Sequence, residues 1–141
     1  FGRADDCAAI EALAARWRAE TKQLIVIGSG GSGLSGKALS FLQAGQTNTP
    51  RLITLDNLDP YTLSALLARD DLSESCFFIV SKSGSTAETH AYADALFTAL
   101  SARGEAGKLA SRACIMTIDA TNPMHALAER YAIRRIPHDT D

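Results

Sequence analysis

Long apolar runs are missing from this 141-residue chain. Leu24–Ile27, Phe77–Val80 and Cys114–Ile118 are each far shorter than the roughly 20 residues a bilayer-crossing helix needs, so no membrane partner is expected. The N-terminus carries no signal-peptide pattern, which makes the cytoplasm the expected compartment. Neither sign of charge dominates: the formal net charge is −2, and Lys and Arg are scattered, which argues against nucleic acid as a partner. Cysteine is scarce and unpaired by spacing. Cys7, Cys76 and Cys114 are odd in number with no C-x-x-C, so they are expected as reduced, structural thiols. His90, His125 and His138 lack Cys or acidic partners at ligand spacing, so no metal is expected. No linker, low-complexity tract or repeat interrupts the chain, and 46% hydrophobic with 21% charged residues suits a single domain over residues 1–141.

What is present is a regular alternation of short apolar runs and helical patterns. Asp5 and Asp6 precede a helix-forming run with Ile10, Leu13, Ala14 and Trp17 on one face. Strand Gln23–Ile27 follows, then a glycine-rich turn over Gly28–Gly36 and a helix Lys37–Ala44 ended by Gly45. Next come strand Arg51–Leu55, a helix capped by Asp59 with Pro60 at its first position, strand Cys76–Val80, and a helix from Ser85 to about Arg103. Gly104–Ser111 reads as a mobile surface loop, before strand Ala113–Ile118, a short helix with cap Asn122 and Pro123, and strand Tyr131–Ile136. Continuous apolar strands separated by helices predict an α/β three-layer sandwich: a five-stranded parallel sheet with helices on both faces. Ligands in such sheets bind at the carboxyl ends of strands, where the strand order reverses, and both glycine- and serine-rich loops lie at such ends.

The richer of the two is S-K-S-G-S-T-A-E-T, Ser81 to Thr89. Ser81, Ser83, Ser85 and Thr86 offer hydroxyls, Lys82 a cation and Gly84 a free turn. The following helix adds unpaired N–H groups, so the segment predicts a phosphate cradle. The first loop, I-G-S-G-G-S-G-L-S-G-K-A, admits several readings. Gly28, Gly30 and Gly33 satisfy the dinucleotide pattern G-x-G-x-x-G, with Asp56 as a candidate ribose acid somewhat far along the chain. Gly31, Gly36 and Lys37 match a nucleoside-triphosphate loop, but Ala38 stands where a magnesium-binding hydroxyl is required. A glycine-rich turn serving geometry alone is the third. The fourth joins both loops around one small phosphorylated compound, because neither nucleotide fold requires a hydroxyl-rich cradle on another strand.

At these residues the chain resembles the sugar isomerase (SIS) domain, and within that family the glucose-6-phosphate isomerases. I-G-S-G-G-S-G-L is similar to their glycine-glycine-serine loop, S-K-S-G-S-T-A-E-T to their phosphate loop, and L-D-N-L-D-P, Leu55 to Pro60, to their strand-end segment. The resemblance implies phosphate contacts from Ser81, Lys82, Ser83 and Thr86, with Gly31 and Ser32 beside the sugar and Glu88 as an active-site glutamate. It implies a sugar-phosphate substrate interconverted between aldose and ketose forms through an enediol, no redox cofactor, and a homodimer in the intact protein. The family's glycine-glycine-arginine motif would follow directly after Asp141, and its base glutamate, ring-opening histidine and C-terminal lysine lie in a second SIS domain. The chain, running from Phe1 to Asp141, is therefore expected to be an excised N-terminal SIS domain that binds the sugar phosphate without turnover. The alternatives are a non-catalytic phosphosugar-sensing SIS module and, less favoured, a dinucleotide-binding domain.

Individual residues carry plainer readings as well. Ser85-Thr86-Ala87-Glu88 has the S-x-x-E spacing of a capping box, which would occupy the Glu88 carboxylate. Lys82 at the buried end of a strand would be desolvated without a counter-ion. Lys37, inside a helix, reads as a solvated side chain.

Overall fold

Five short strands, β1 (Gln23–Ile27), β2 (Arg51–Leu55), β3 (Ser75–Val80), β4 (Ala113–Thr117) and β5 (Arg134–Pro137), form one sheet in the order β2-β1-β3-β4-β5. Every neighbouring pair is parallel, with Ile25 opposite Ile53 on one side and Phe77 on the other. The computed structural model describes residues 4–42 and 49–138. Its helices are α1 (Ala4–Glu20), α2 (Gly31–Leu42), α3 (Pro60–Leu67), α4 (Ala87–Ala102), α5 (Ala106–Arg112) and α6 (Pro123–Arg130). The result is the expected α/β sandwich.

Alternation along the strands divides the core in two. Ile25, Ile27, Phe77, Ile79 and Ile115 point to one face, under Leu66 of α3, Tyr92, Leu96, Phe97 and Leu100 of α4, Leu109 of α5, and Met124 and Leu127 of α6. Phe97 meets Phe77 edge-on at 6.2 Å between centroids. On the other face, Cys76, Cys114 and Ile136 meet Leu13 and Trp17 of α1. Burial of the thiols pushes both upward, Cys114 to about 11.

Several boundaries differ from the sequence reading. The first helix already includes Asp5 and Asp6, which the sequence reading set ahead of it. α2 begins at Gly31, six residues before the expected start at Lys37, because its glycines are a packing face: a Cβ at Gly33 would run into the Gly28 carbonyl and the Asp56 Cβ, and one at Gly36 would just touch Thr54 and Val26. The expected stop at Gly45 lies outside the described residues. The polar stretch taken as a loop folds as α5 around one buried apolar residue, Leu109, with Arg112 and Glu105 paired alongside it. A 3-10 turn over Asp70–Glu74 was not anticipated.

The last strand starts at Arg134, three residues later than expected. The preceding residues close α6 instead, through a Schellman motif: the N–H of Ile133 donates to the carbonyl of Ala128 at 2.8 Å and that of Ala132 to Glu129 at 3.2 Å. Ala132 takes the left-handed conformation there, φ 53°. Asp59 and Asn122 cap α3 and α6 as predicted, each ahead of a proline.

Candidate functional site

The chain leaves β1 toward β2 on one side and β3 toward β4 on the other, so the strand order reverses between β1 and β3. Loops that leave adjacent strands at such a point diverge and open a crevice above the carboxyl ends. Here a cleft of about 590 Å³ occupies it. Ser29 and Ser32 line it from the β1 side, Ser81, Lys82, Ser83 and Thr86 from the β3 side, and Val80 and Ile118 supply apolar surface.

The β3 side is held from below. Ser81 is buried and its N–H donates to Met116 of β4 at 3.0 Å, while Ile118 returns a bond to the Lys82 carbonyl at 3.1 Å. The turn closes with Gly84 donating to the Ser81 carbonyl at 3.1 Å, at φ 69°. Asn122 fills the space where a Gly84 Cβ would lie. Above this base the polar groups face the cleft. The Ser83 hydroxyl accepts from the N–H and hydroxyl of Ser85, at 3.3 and 3.0 Å, which leaves its own proton available to an anion. The Ser81 hydroxyl lies 3.4 Å from that of Thr86, the N-cap residue of α4.

Two helix N-termini flank this cleft, α4 after Thr86 and α2 from Gly31, each with unpaired N–H groups and a positive dipole end. Lys82 is exposed, and no carboxylate among the described residues pairs with it. The expected desolvation of Lys82 is thus absent: the loop ends in open space rather than in the sheet. The arrangement suits a small dianion, with a cation, hydroxyl donors and backbone N–H groups converging in one place.

Of the seven residues singled out from the sequence, Ser32, Ser81, Lys82, Ser83 and Thr86 line the cleft. Gly31 stands at the N-terminus of α2 beside it. Glu88 is elsewhere, in a narrow crevice shared with Ser29, Asp56, Asn57, Thr89 and Tyr92, on the β2 side. It is exposed and is not part of a capping box, because α4 starts one residue later than that motif requires and the Ser85 hydroxyl turns to Ser83. Ser29 and Ile118 were missed. Ser29 was legible as the residue between two glycines of the first loop, whereas Ile118 reaches the cleft only because β4 neighbours β3.

The rival readings of the first loop meet specific obstacles. Lys37 points to Asp56, Nζ to Oδ2 at 3.0 Å, over the end of β2. That pair occupies the carboxylate a ribose would need and turns the lysine of a triphosphate loop away from the cleft, so neither side chain is simply solvated. Among the described residues no three His, Cys, Asp or Glu side chains gather as metal ligands would. In the β2–α3 loop, the Asp59 carboxyl is held below the usual range, first by the Thr62 hydroxyl and then by the N–H groups of Tyr61 and Thr62.

The profile of the family described as phosphoglucose isomerase matches residues 10–128. A probable glucose-6-phosphate isomerase of Haloquadratum walsbyi is 41% identical over 66 residues, 47% of this chain and 15% of that protein. A second, of Haloarcula marismortui, is 29% identical over 119 residues, 84% of this chain and 26% of the relative. The crystal structure of a glucose-6-phosphate isomerase from Chlamydia trachomatis superposes with a TM-score of 0.79 at 25% identity, over 97% of this chain and 26% of that one. The chain spans about a quarter or less of the length of these proteins.

Proposed function

This chain belongs to the phosphoglucose isomerase family, and from that premise we propose that it binds a sugar phosphate at the β1–β3 cleft for an aldose–ketose isomerisation in the intact protein. The substrates in this reading are glucose 6-phosphate and fructose 6-phosphate, which the names of the relatives bring to this chain. The observation that carries it is the meeting of two hydroxyl- and glycine-rich loops across one switch point, around an exposed lysine.

Ser81, Lys82, Ser83 and Thr86 hold the phosphate together with the first N–H groups of α4. Gly31 and Ser32 lie beside the sugar carbons. The carboxylate of Glu88, in the neighbouring crevice rather than in the cradle, avoids like-charge repulsion with phosphate and is placed toward the sugar hydroxyls. Isomerisation moves a proton between C2 and C1 through an enediol, which a carboxylate base and a cation accomplish without redox chemistry. This chain supplies binding and orientation, and the base and enediolate-stabilising cation come from the rest of the protein, so the 141 residues alone bind without turnover. The same reading places the intact protein in the cytoplasm as a homodimer.

Calorimetric titration with fructose 6-phosphate, fructose and NAD tests it. Charge-assisted hydrogen bonds are worth about 1.5–3 kcal/mol, so Lys82→Ala and Ser83→Ala should each weaken fructose 6-phosphate by roughly 10- to 100-fold. Lys37→Ala should leave affinity within about twofold. Binding of NAD without sugar phosphate, or equal losses from all three variants, would overturn the proposal.

A further inference from the structure

The cleft has two sides on different strands, and a ligand that touches both requires their spacing to be fixed. α4 carries two buried hydroxyl side chains three residues apart on one face, Thr89 and Tyr92, each 2% exposed. Both reach across to other carboxyl-end loops. The Tyr92 hydroxyl donates to the Asp59 carbonyl at 2.7 Å and accepts the Asp59 N–H at 3.1 Å, which ties α4 to the β2–α3 loop. The Thr89 hydroxyl oxygen accepts the Ser29 N–H at 3.4 Å and lies 3.4 Å from the Ser29 hydroxyl, which ties α4 to the β1–α2 loop.

Ser29 is the residue that borders both the cleft and the crevice of Glu88. Thr89 itself does not line the cleft. It sits in the first turn of the helix whose start closes the phosphate loop, and holds the opposite loop from beneath. Ser29 lies between two backbone anchors of that loop, the Gly28 N–H on the Leu55 carbonyl at 3.1 Å and the Gly30 carbonyl under the Leu34 N–H at 3.0 Å, and Thr89 holds the residue between them.

We infer that Thr89 is a positioning residue which sets the spacing between the phosphate side and the sugar side of the cleft; this rests on the sugar-phosphate reading of the site. A phosphate alone needs only the β3 side. A sugar phosphate needs both, so loss of the tie acts selectively on the larger ligand. A residue of purely structural importance would instead weaken both ligands together or lower only the melting temperature.

The test is titration of the 141-residue chain and its Thr89→Val and Thr89→Ser variants with fructose 6-phosphate and with inorganic phosphate. Thr89→Val keeps the shape and removes the acceptor. It should bind fructose 6-phosphate about five- to tenfold more weakly, with inorganic phosphate within about twofold of wild type. Thr89→Ser, which restores the hydroxyl, should match wild type for both. Equal losses for the two ligands, no loss for either, or a Thr89→Ser variant as weak as Thr89→Val would each overturn the inference. Should Thr89→Val not fold, amide exchange decides: the Ser29 N–H must exchange more slowly than that of Gly30 in wild type, and equal rates overturn the tie. Wild type that binds no fructose 6-phosphate sinks the functional reading and this inference with it, whereas normal wild-type binding with an unchanged Thr89→Val sinks the Thr89 assignment alone.

Discussion

Gly84→Ala isolates the geometry of the phosphate loop. The backbone there is at φ 69°, where a side chain costs about 1–2 kcal/mol. A Cβ at this position would also lie nearer than 3.0 Å to the Cγ, Oδ1 and Nδ2 of Asn122. Asn122 has little freedom to retreat, since its Oδ1 caps α6 by accepting the His125 N–H at 3.0 Å and its Nδ2 donates to Ala120 at 2.8 Å. Overpacking against a fixed neighbour adds about 1–3 kcal/mol, for a total of roughly 2–5 kcal/mol. That is a large part of a typical folding stability and corresponds to a drop of roughly 7–17 °C in Tm. Differential scanning calorimetry measures it. The companion variant Asn122→Ala loses its cap, about 1 kcal/mol, but makes room for the methyl group. The double variant should therefore be more stable than the sum of the two single losses predicts, by the overpacking share. Strict additivity, or a Gly84→Ala protein that melts within about 1 °C of wild type, would refute the collision.

Ala132→Gly should work in the opposite direction: it relieves left-handed strain at the end of α6, and after the extra entropy of the unfolded glycine it should raise stability by about 0.5–1 kcal/mol, read as a higher denaturation midpoint. Asp59 has a depressed carboxyl pKa in the folded chain, so its contribution is present above the unfolded value and lost as pH falls through the folded one. Asp59→Ala should melt below wild type near neutrality, and the gap should close in strong acid; a gap that persists there would refute the cap. The raised thiols give the reverse sign. Their contribution is complete below the unfolded cysteine value and fades as pH rises toward about 11, the value for Cys114, so stability measured by urea should decline across that alkaline range. Iodoacetamide at neutral pH should label exposed Cys7 well before Cys76 and Cys114, and comparable rates would contradict the burial of the latter two.

The architecture was legible because the strands other than β5 are largely apolar runs with a turn signal behind them, and burial on both faces of a parallel sheet demands nothing subtler. The proline-headed helices were equally plain, since Asp59-Pro60 and Asn122-Pro123 combine a cap with a residue that tolerates only the first turn. Legibility failed where a local signal had a tertiary explanation. Gly33 and Gly36 read as turn residues, yet they lie on the side of α2 that faces the strand ends, with Gly33 against Gly28 and Asp56 and Gly36 beside Thr54 and Val26. α5 has one buried apolar side chain, too few to make a period. Tyr131 and Ile133 looked like the start of a strand, but they pack as the closing residues of α6, with Tyr131 against Phe97 at 5.5 Å.

The site followed the same division. Hydroxyls, a lysine and a glycine in one segment announce an anion before any fold is known, because their chemistry is local. The strand order decides what that segment faces. A sheet ordered otherwise would leave Ser81–Thr86 opposite some other loop, and it is the adjacency of β1 and β3 that sets Ser29 and Ser32 across from Lys82. Charge pairing is also invisible to motif matching: Lys37 and Asp56 each completed a nucleotide pattern in the sequence, and at 3.0 Å they answer each other instead. Lys37→Ala should for that reason free the Asp56 carboxylate without creating affinity for NAD. A gain of NAD binding in that variant would show that the ion pair, rather than the shape of the cleft, keeps the first loop from serving a dinucleotide.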